Sequence, residues 1–347
     1  MTLPIISIII PVYNRSEYAE DLLNSILNQS VCDWEVLLID DGSKPEEFSH
    51  WQGQACVDER FQLYTRNRLP KGAPTCRNIG IEKSRGKYVM FIDSDDLLCT
   101  NECLKERLDG CSRFPDVDFW VFATEVFRDK PGDKRIVWNI AKPENDLDRF
   151  LNRDNPWSIS GPLWRREAFE RLGPHDETLP GCQDWELHVR ALCLGLKYRR
   201  VSGGLSYWRE TQMGSISSKL QQSEMLEKVP YLYMKIANLL RNNKMMDKNR
   251  NRSLAKLYLI QGVSWSRLNR YDKVVQVLNT AVKQQHLSIY LWFIFFLYIL
   301  SGKVPKAMMI SVWILSRFLH EGYFPSRKST YLNSSIDELK DWEFYNS

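Results

Sequence analysis

Short apolar runs alternate with segments of helical spacing along the first third of the chain. Runs of about four to eight apolar and β-branched residues are typical of strands buried on both faces. Between them, apolar residues recur three and four positions apart, as in residues 19–27, which predicts amphipathic helices. The predicted strands are residues 5–10, 34–39, 61–65, 87–92 and 117–122. This alternation predicts an α/β fold with a mostly parallel sheet and helices on both of its faces.

The pattern changes near Gln221, where strand signals end and only helical spacing continues. The later segments predicted to be helical are residues 231–240, 254–268, 273–283, 288–300 and 305–319. We therefore expect two parts, an α/β domain over residues 1–218 and an all-α C-terminal region over residues 219–347.

Charge differs between these two parts, although the whole chain carries only +4. Residues 1–218 hold 28 Lys+Arg and 34 Asp+Glu, a net −6, whereas residues 219–347 hold 19 and 9, a net +10. An apolar content of 44% excludes a disordered or fibrous chain. The basic part predicts either a solvated helical surface or an anionic partner such as lipid, and no nucleic acid is expected as a partner.

One apolar segment, residues 287–300, leaves two interpretations open. It is too short to span a bilayer comfortably, so it is either a buried core helix or part of an interfacial helix. The second interpretation predicts peripheral membrane contact through residues 287–320, where Trp292 and Trp313 lie among basic residues. Because no basic segment precedes the first apolar run, we expect no signal peptide and a cytoplasmic protein, peripheral on the inner face of the membrane if this helix binds lipid.

Polar clusters follow three of the predicted strands: Tyr13-Asn14, Asp40-Asp41 and Asp93 to Asp96. The carboxyl ends of parallel strands meet at one edge of a sheet, which is where such folds bind ligands. Any one cluster is typical of a turn or a helix cap. Three clusters at the same edge favour a binding site.

The residue types suggest nucleotide chemistry at this edge. Asp93 and Asp95 place two carboxylates one residue apart, which lets them hold a divalent cation and a ribose together. Arg77 either reaches a nucleotide base or phosphate or forms a surface ion pair. Neither a Gly-x-x-x-x-Gly-Lys-Ser/Thr loop nor a Gly-x-Gly-x-x-Gly turn follows the first strand, which disfavours P-loop NTPases and Rossmann dehydrogenases.

A second set of candidates lies further along the chain. Asp184 opens a predicted helix beside Trp185, where it either caps the helix or serves a sugar site. In a sugar site the carboxylate deprotonates an attacking hydroxyl while the ring stacks on a sugar face. Arg209 follows a β-rich segment and is placed to neutralise a diphosphate leaving group.

Taken in order, these motifs resemble family 2 glycosyltransferases, which have the GT-A fold with a mixed sheet. The resemblance covers residues 4–218, roughly the first two-thirds of the chain. The segments that carry it are Pro11-Val12-Tyr13-Asn14, Asp40-Asp41-Gly42-Ser43, Ala73 to Gly80, Asp93-Ser94-Asp95-Asp96, Arg166-Glu167-Ala168-Phe169, Gln183-Asp184-Trp185-Glu186 and Gly214-Ser215-Ile216-Ser217.

The resemblance implies roles for the candidate residues. Tyr13 stacks on the nucleotide base and Asp41 hydrogen-bonds it. Asp93 contacts the ribose, and Asp95 binds the Mn²⁺ or Mg²⁺ that bridges the diphosphate. The other residues expected in the nucleotide-sugar site are Pro11, Arg77, Ser94, Trp185 and Arg209.

The implied reaction is an inverting, metal-dependent transfer in which Asp184 is the general base. The expected donor is a UDP-sugar, and the acceptor is a hydroxyl of a saccharide or lipid-linked molecule in surface or secreted glycan synthesis.

Two departures from the family pattern affect the site. Gln183 stands where the family often has Glu, and residues 209–213 contain no His, so Glu210 or Gln212 is the candidate third metal ligand.

Two other functions stay open. The missing His is compatible with a catalytically weak, nucleotide-binding scaffold of a glycan-assembly complex. However, a site that has lost its catalytic function is expected to have lost at least one of Asp93, Asp95 and Asp184, and all three are present. A sugar nucleotidyltransferase shares the α/β nucleotide fold but usually needs a Gly-rich N-terminal loop, and residues 11–20 contain no Gly.

Overall fold

The structure, a computed structural model, describes residues 3–210, 223–301 and 334–343. The chain divides into two compact units. The first comprises Met1–Asp146, Asn155–Thr211 and Thr330–Ser347, and the second comprises Leu147–Asp154 and Gln212–Ser329. The expected division after residue 218 did not anticipate that an internal segment belongs to the second unit and the C-terminal segment to the first.

The first unit contains the strands and most of the short helices. Its strands are β1 (Ile6–Val12), β2 (Trp34–Asp40), β3 (Phe61–Thr65), β4 (Tyr88–Phe91), β5 (Leu97–Leu98), β6 (Phe119–Val121), β7 (Thr124–Phe127), β8 (Ile136–Val137), β9 (Pro162–Arg165), β10 (Tyr198–Arg200), β11 (Ser206–Arg209) and β12 (Ser334–Ser335). Its helices are α1 (Ala19–Leu27), α2 (Pro45–Ala55), α3 (Ala73–Lys83), α4 (Cys103–Arg113), α6 (Arg166–Leu172) and α7 (Gln183–Cys193), with a 3-10 turn at Ser16–Tyr18. A further helix, α5 (Asp146–Leu151), runs from the first unit into the internal segment of the second.

Seven strands form the main sheet in the order β10-β6-β9-β4-β1-β2-β3. Strands β3, β2, β1 and β4 are parallel, whereas β9 runs antiparallel to both β4 and β6. A smaller sheet has the order β12-β8-β7-β11-β5. The predicted mixed, mostly parallel sheet flanked by helices is confirmed.

The core around β1 explains why α3 lies where it does. Every residue of β1 except Pro11 is buried, as is every residue of β2, so apolar side chains pack on both faces of the sheet. On α3, Gly80 lies directly against Ile9 of β1, because an added Cβ would come within 2.3 Å of Ile9 Cγ2. This close approach fixes the distance between α3 and the sheet and thereby the position of Arg77, one turn earlier on the same helix.

The second unit is helical in all of its described residues outside the turns. Its longer helices are α8 (Ser223–Asn242), α9 (Lys248–Arg267), α10 (Tyr271–Lys283) and α11 (Ile289–Ser301). Within α9, Gly262 faces α11, where an added Cβ would lie 2.8 Å from Ile299 Cδ1. The C-terminal helical region is therefore confirmed, while the helix predicted over residues 305–319 lies outside the described residues.

Helix α11 buries some of its apolar residues and exposes others. Leu291, Phe295 and Ile299 are buried at successive turns. The opposite side exposes four large apolar residues, Ile289, Tyr290, Phe293 and Leu297, which are 47% to 63% exposed. Among the helices of the described ranges, none combines the length and apolar character that crossing a membrane requires.

Candidate functional site

Three loops meet at the carboxyl edge of the parallel strands, as the sequence predicts. The loop after β1 contacts the loop after β2, because the Asn14 amide donates to Ser43 Oγ at 2.7 Å. It also contacts the loop after β4, because Arg15 Nη1 lies 2.7 Å from Asp95 Oδ2. The tertiary structure therefore brings the three polar clusters together at one place.

The two aspartates after β2 have different surroundings. Asp40 accepts hydrogen bonds from the main-chain N–H groups of Gly42 and Ser43, so it stabilises the turn. Asp41 Oδ1 instead accepts hydrogen bonds from Arg66 Nε at 2.7 Å and the Gly72 amide at 3.0 Å. Of the pair, Asp41 is thus the one held towards the loop that precedes α3.

Tyr13 provides an aromatic surface beside Asp41. Its side chain is 44% exposed, and Lys71 Nζ lies 3.6 Å from the ring centroid. Hydrogen bonding to Lys71 and the charge of Lys71 lower the pKa of the Tyr13 hydroxyl, against a smaller opposite effect of Asp41. An exposed ring, a carboxylate and a cation therefore lie within one small region.

Arg77 connects two carboxylates from inside the protein. Its side chain is 1% exposed, its Nη2 donates to Asp93 Oδ1 at 2.7 Å, and its Nη1 donates to Asp184 Oδ1 at 3.1 Å. We call this arrangement the Arg77 bridge. Because both terminal nitrogens are engaged, Arg77 in this structure positions Asp93 and Asp184.

Asp184 lies in the first turn of α7, after Cys182 in the left-handed conformation with φ 57°. The side chain of Asp184 is 37% exposed. Loss of hydration at the partly buried carboxyl group raises the pKa of Asp184 to about 6, with Arg77 opposing this effect and the charge of Asp93 adding to it. A carboxylate with this pKa is ionised at neutral pH and basic enough to accept a proton from a hydroxyl group during a reaction. The neighbouring Trp185 is only 8% exposed, which leaves little of its ring for a sugar face.

Asp95 lies in the loop after β4, two residues after Asp93. Its side chain is 13% exposed, and burial together with the charge of Asp93 raises its pKa to about 6, while Arg15 lowers it. The adjacent Ser94 is buried. Arg209 Nε donates to the main-chain oxygen of Asp95 at 3.0 Å, so this guanidinium contacts the loop and not the Asp95 carboxylate.

Asp96 is fully buried and connects the loop to β11. Its Oδ1 accepts a hydrogen bond from the Arg209 amide at 3.0 Å, and its Oδ2 has no hydrogen-bond partner in the described part of the chain. Burial and the charges of Asp95 and Asp93 hold the pKa of Asp96 well above its ordinary value. Asp96 therefore has a structural role at the end of β11.

A divalent cation fits this edge only in part. Within the described ranges, no group of three His, Cys, Asp or Glu residues is arranged to hold a metal ion. Asp95 supplies carboxylate oxygens, which suit Mg²⁺ or Mn²⁺ when substrate phosphates and water complete the coordination. Glu210, one candidate third ligand, forms ion pairs with Arg128 at 2.6 Å and Lys134 at 2.7 Å, and Gln212 lies outside the described residues. The residues fit a cation bound together with a diphosphate better than one held by protein alone.

Several residues of the site were not predicted. Arg15, Arg66 and Lys71 contact Asp95, Asp41 and Tyr13 respectively. Each is a basic residue in a loop, and no local pattern distinguishes it from other surface cations. The Gly214-Ser215-Ile216-Ser217 segment of the resemblance lies outside the described residues.

Comparisons with known proteins agree with this geometry. The family described as Glycosyl transferase family 2 matches residues 7–173. Two proteins of Bacillus subtilis (strain 168) that carry the name glycosyltransferase are similar in sequence. EpsH is 34% identical over 259 residues, 72% of this chain and 73% of its own, and EpsJ is 27% identical over 240 residues, 65% of this chain and 67% of its own. The chain spans less than half the length of several other relatives.

Solved structures show the same fold. S. aureus TarS 1–349 in complex with UDP-GlcNAc is similar with a TM-score of 0.63 and 18% identity, over 89% of both chains. The mannosyltransferase PcManGT from Pyrobaculum calidifontis in complex with GDP-Man and Mn²⁺ is similar with a TM-score of 0.52 and 15% identity, over 92% of this chain and 87% of its own. The family match and the EpsH similarity together confirm the resemblance: the chain belongs to glycosyltransferase family 2, has the GT-A fold and is a glycosyltransferase.

Proposed function

We propose that this protein transfers a sugar from a UDP-sugar to a hydroxyl of a saccharide or lipid-linked acceptor, with inversion at the anomeric carbon. The observation that carries the proposal is the Arg77 bridge. It holds Asp184, whose pKa of about 6 suits a general base, next to Asp93 at the edge where nucleotide-binding residues of this family meet. A carboxylate with a raised pKa at a ligand-binding edge is typical of catalytic groups, which supports catalysis over binding alone.

In the proposed reaction, Asp184 accepts the proton of the acceptor hydroxyl. The hydroxyl oxygen forms a bond to the anomeric carbon from the face opposite the nucleotide, and the bond between that carbon and the diphosphate oxygen breaks. The electron pair of the broken bond leaves with the nucleoside diphosphate. In this proposal the positive charge of Arg209, whose Nε contacts the main chain of Asp95, opposes the growing negative charge of the leaving group.

In this proposal the nucleotide binds to the loops after β1, β2 and β4 at the same sheet edge. The exposed ring of Tyr13 stacks on the base, Asp41 hydrogen-bonds it, and Asp93 binds the ribose. The choice of UDP follows the UDP-GlcNAc complex of TarS, which has a higher TM-score than the GDP-Man complex of PcManGT. Pro11, near the end of β1, and Ser94, in the loop after β4, complete the nucleotide site in this proposal.

The proposed metal is Mn²⁺ or Mg²⁺ held by Asp95. When bound, such a cation neutralises charge on the diphosphate of the donor. Asp95 is suited to this task because its carboxylate is nearly buried at the site edge, where its charge acts with little screening by water.

The experiment compares nucleotide binding with turnover. We compare three proteins: the wild type, Asp184→Asn and Asp272→Asn. For each, calorimetry measures the binding of UDP in the presence of Mn²⁺, and an assay with a library of acceptors measures the rate at which a UDP-sugar is consumed. Asp272→Asn removes an exposed carboxylate of the second unit and serves as the matched control. We expect Asp184→Asn to bind UDP like the wild type but to lose about 10²- to 10⁴-fold in turnover.

Other results would change the conclusion. Full turnover by Asp184→Asn would exclude it as the base. UDP binding without turnover of any donor and acceptor would favour the nucleotide-binding scaffold, and release of pyrophosphate from UTP and a sugar phosphate would favour the nucleotidyltransferase.

The partner of the second unit is a lipid surface in this proposal, with the protein in the cytoplasm. Four large apolar residues of α11 are exposed, and residues 219–320 carry 16 Lys+Arg against 4 Asp+Glu, which complements anionic headgroups.

Sedimentation with lipid vesicles tests this contact. We expect the protein to bind vesicles that contain phosphatidylglycerol and not vesicles of pure phosphatidylcholine. Phe293→Ser with Leu297→Ser weakens this binding, whereas Val57→Ser, an exposed apolar residue of the first unit, leaves it unchanged. Equal binding by all variants would refute the lipid contact.

A further inference from the structure

The ion pair between Arg15 and Asp95 occupies the carboxylate that the proposed metal needs. Arg15 Nη1 lies 2.7 Å from Asp95 Oδ2, and the side chains are 28% and 13% exposed. We call this contact the Arg15 pair. Arg15 engages one of the two carboxylate oxygens, and a guanidinium and a divalent cation at the same carboxylate repel each other, so binding of one weakens binding of the other.

The loop that presents Arg15 is built in an unusual conformation. Asn14 and Arg15 are consecutive non-glycine residues with φ of 53° and 55°, in the left-handed region that such residues rarely adopt. Two such residues in a row cost free energy, which the surrounding structure must offset. The conformation therefore requires specific support from neighbouring elements.

Three hydrogen bonds supply that support at Asn14. Its amide donates to Ser43 Oγ at 2.7 Å, its Oδ1 accepts from the Lys44 amide at 3.0 Å, and its carbonyl accepts from Trp51 Nε1 at 3.0 Å. Trp51 is itself fully buried. The next residue, Ser16, donates its amide to Glu47 at 2.9 Å. The main chain of the loop is thus anchored on both sides of Arg15. This anchoring places the Arg15 side chain within reach of Asp95.

We propose that Arg15 is the resident counter-ion of Asp95, that it competes with the divalent cation, and that it moves from Asp95 to the diphosphate of the donor when metal and donor bind. The inference rests on the proposed function. A nearly buried carboxylate needs a cation beside it, and Arg15 supplies one before substrate arrives. Guanidinium groups bind phosphate oxygens well, so the released Arg15 finds a new anionic partner in the same site.

This exchange predicts opposite effects of one substitution. In Arg15→Ala, Asp95 loses the guanidinium that contacts its carboxylate, so we expect Mn²⁺ alone to bind about fivefold more tightly than to the wild type. UDP in the presence of saturating Mn²⁺ binds about tenfold more weakly, because a phosphate contact is lost. A merely structural arginine would not strengthen metal binding when removed.

The experiment measures both affinities on the full chain. Free Mn²⁺ is followed by electron paramagnetic resonance without nucleotide, and UDP binding is followed by calorimetry at saturating Mn²⁺. The matched control is Arg60→Ala, which removes a 2.7 Å pair with Asp58 of similar exposure, 27% and 20%, and we expect it to change neither affinity. Arg15→Lys keeps the charge without the planar guanidinium, so we expect Mn²⁺ affinity near that of the wild type and weakened UDP binding.

The possible failures are distinguishable. Mn²⁺ affinity that is equal or weaker in folded Arg15→Ala, with UDP–Mn²⁺ binding intact in the wild type, would overturn the competition and leave the proposed function standing. The absence of both Mn²⁺ and UDP binding in the wild type would overturn both. If Arg15→Ala does not fold, the same comparison with Arg15→Lys and Arg15→Gln decides the outcome, because loss of charge in Gln alone must strengthen Mn²⁺ binding.

Discussion

Two arginines hold carboxylates at the same sheet edge, but from different structural settings. Arg77 lies within α3, is 1% exposed and engages both Asp93 and Asp184. Arg15 lies in a loop, is 28% exposed and, among the described residues, forms its ion pair with Asp95. The chemistry of the two contacts is the same, so the difference between them comes from burial and from the number of partners.

This difference decides which contact can exchange. Removing the partners of a buried guanidinium leaves an uncompensated charge away from water, which is strongly unfavourable, so the Arg77 bridge is permanent. A guanidinium that reaches water can leave its partner at low cost, because solvent replaces the lost hydrogen bonds. We therefore expect the side of the site with the proposed base to be rigid and the side with the proposed metal ligand to be exchangeable.

The largest expected effect is on the rigid side. In Arg77→Met, Asp93 and Asp184 lose their common partner, and we expect turnover to fall about a hundredfold because the base is displaced. Unfolding free energy drops by about 1–3 kcal/mol, a moderate amount because both carboxylates are partly exposed and can be hydrated. Turnover assays and urea denaturation measure the two effects. An unchanged turnover would show that the bridge does not position the base.

The acid limb of the pH–rate profile tests the same bridge. The proposed base Asp184 accepts a proton only when it is ionised, and its pKa is about 6, so we expect turnover to rise with pH up to about 6 and to be constant above it. Below pH 6 it falls about tenfold per pH unit. Because Arg77 lowers the pKa of Asp184, Arg77→Met shifts this limb to higher pH. A profile that is identical in both proteins would contradict the assignment.

The packing of α3 on the sheet provides a third test. Gly80→Ala forces a Cβ to within 2.3 Å of Ile9 Cγ2, so α3 must move, and we expect a loss of about 1–3 kcal/mol in unfolding free energy. Gly53→Ala in α2 is the control, since nothing lies within 4 Å of its added Cβ, and it stabilises by about 0.5–1 kcal/mol. Equal effects in denaturation would show that α3 is not fixed by this contact.

The smallest effect is expected on the exchangeable side. Arg15→Ala lowers the unfolding free energy by less than about 1 kcal/mol, because the pair reaches water and its loss is partly compensated. Thermal denaturation of Arg15→Ala and Arg60→Ala measures this effect. A loss comparable to that of Arg77→Met would show that the two arginines are equally structural.

Much of the site was predictable because strand order and motif order lie in the chain itself. Buried apolar runs identified the strands, and in a parallel sheet their ends must share one edge, which placed Tyr13, Asp41 and Asp95 near one another. The pairing of Arg77 with Asp184 was not predictable, because 107 residues separate them. Arg77 was expected to help hold the nucleotide, which stays a prediction, and the structure adds that both of its terminal nitrogens contact carboxylates.

The sequence by itself determined the α/β fold, the helical C-terminal region and the family, since these depend on hydrophobic periodicity and on motifs whose residues are close in the chain. Only the tertiary structure decided which arginine faces which carboxylate and which of these contacts is buried. The reason is physical: the partner and the solvation of a charge depend on elements that meet in space, and these determine whether a charged pair is fixed or free to exchange.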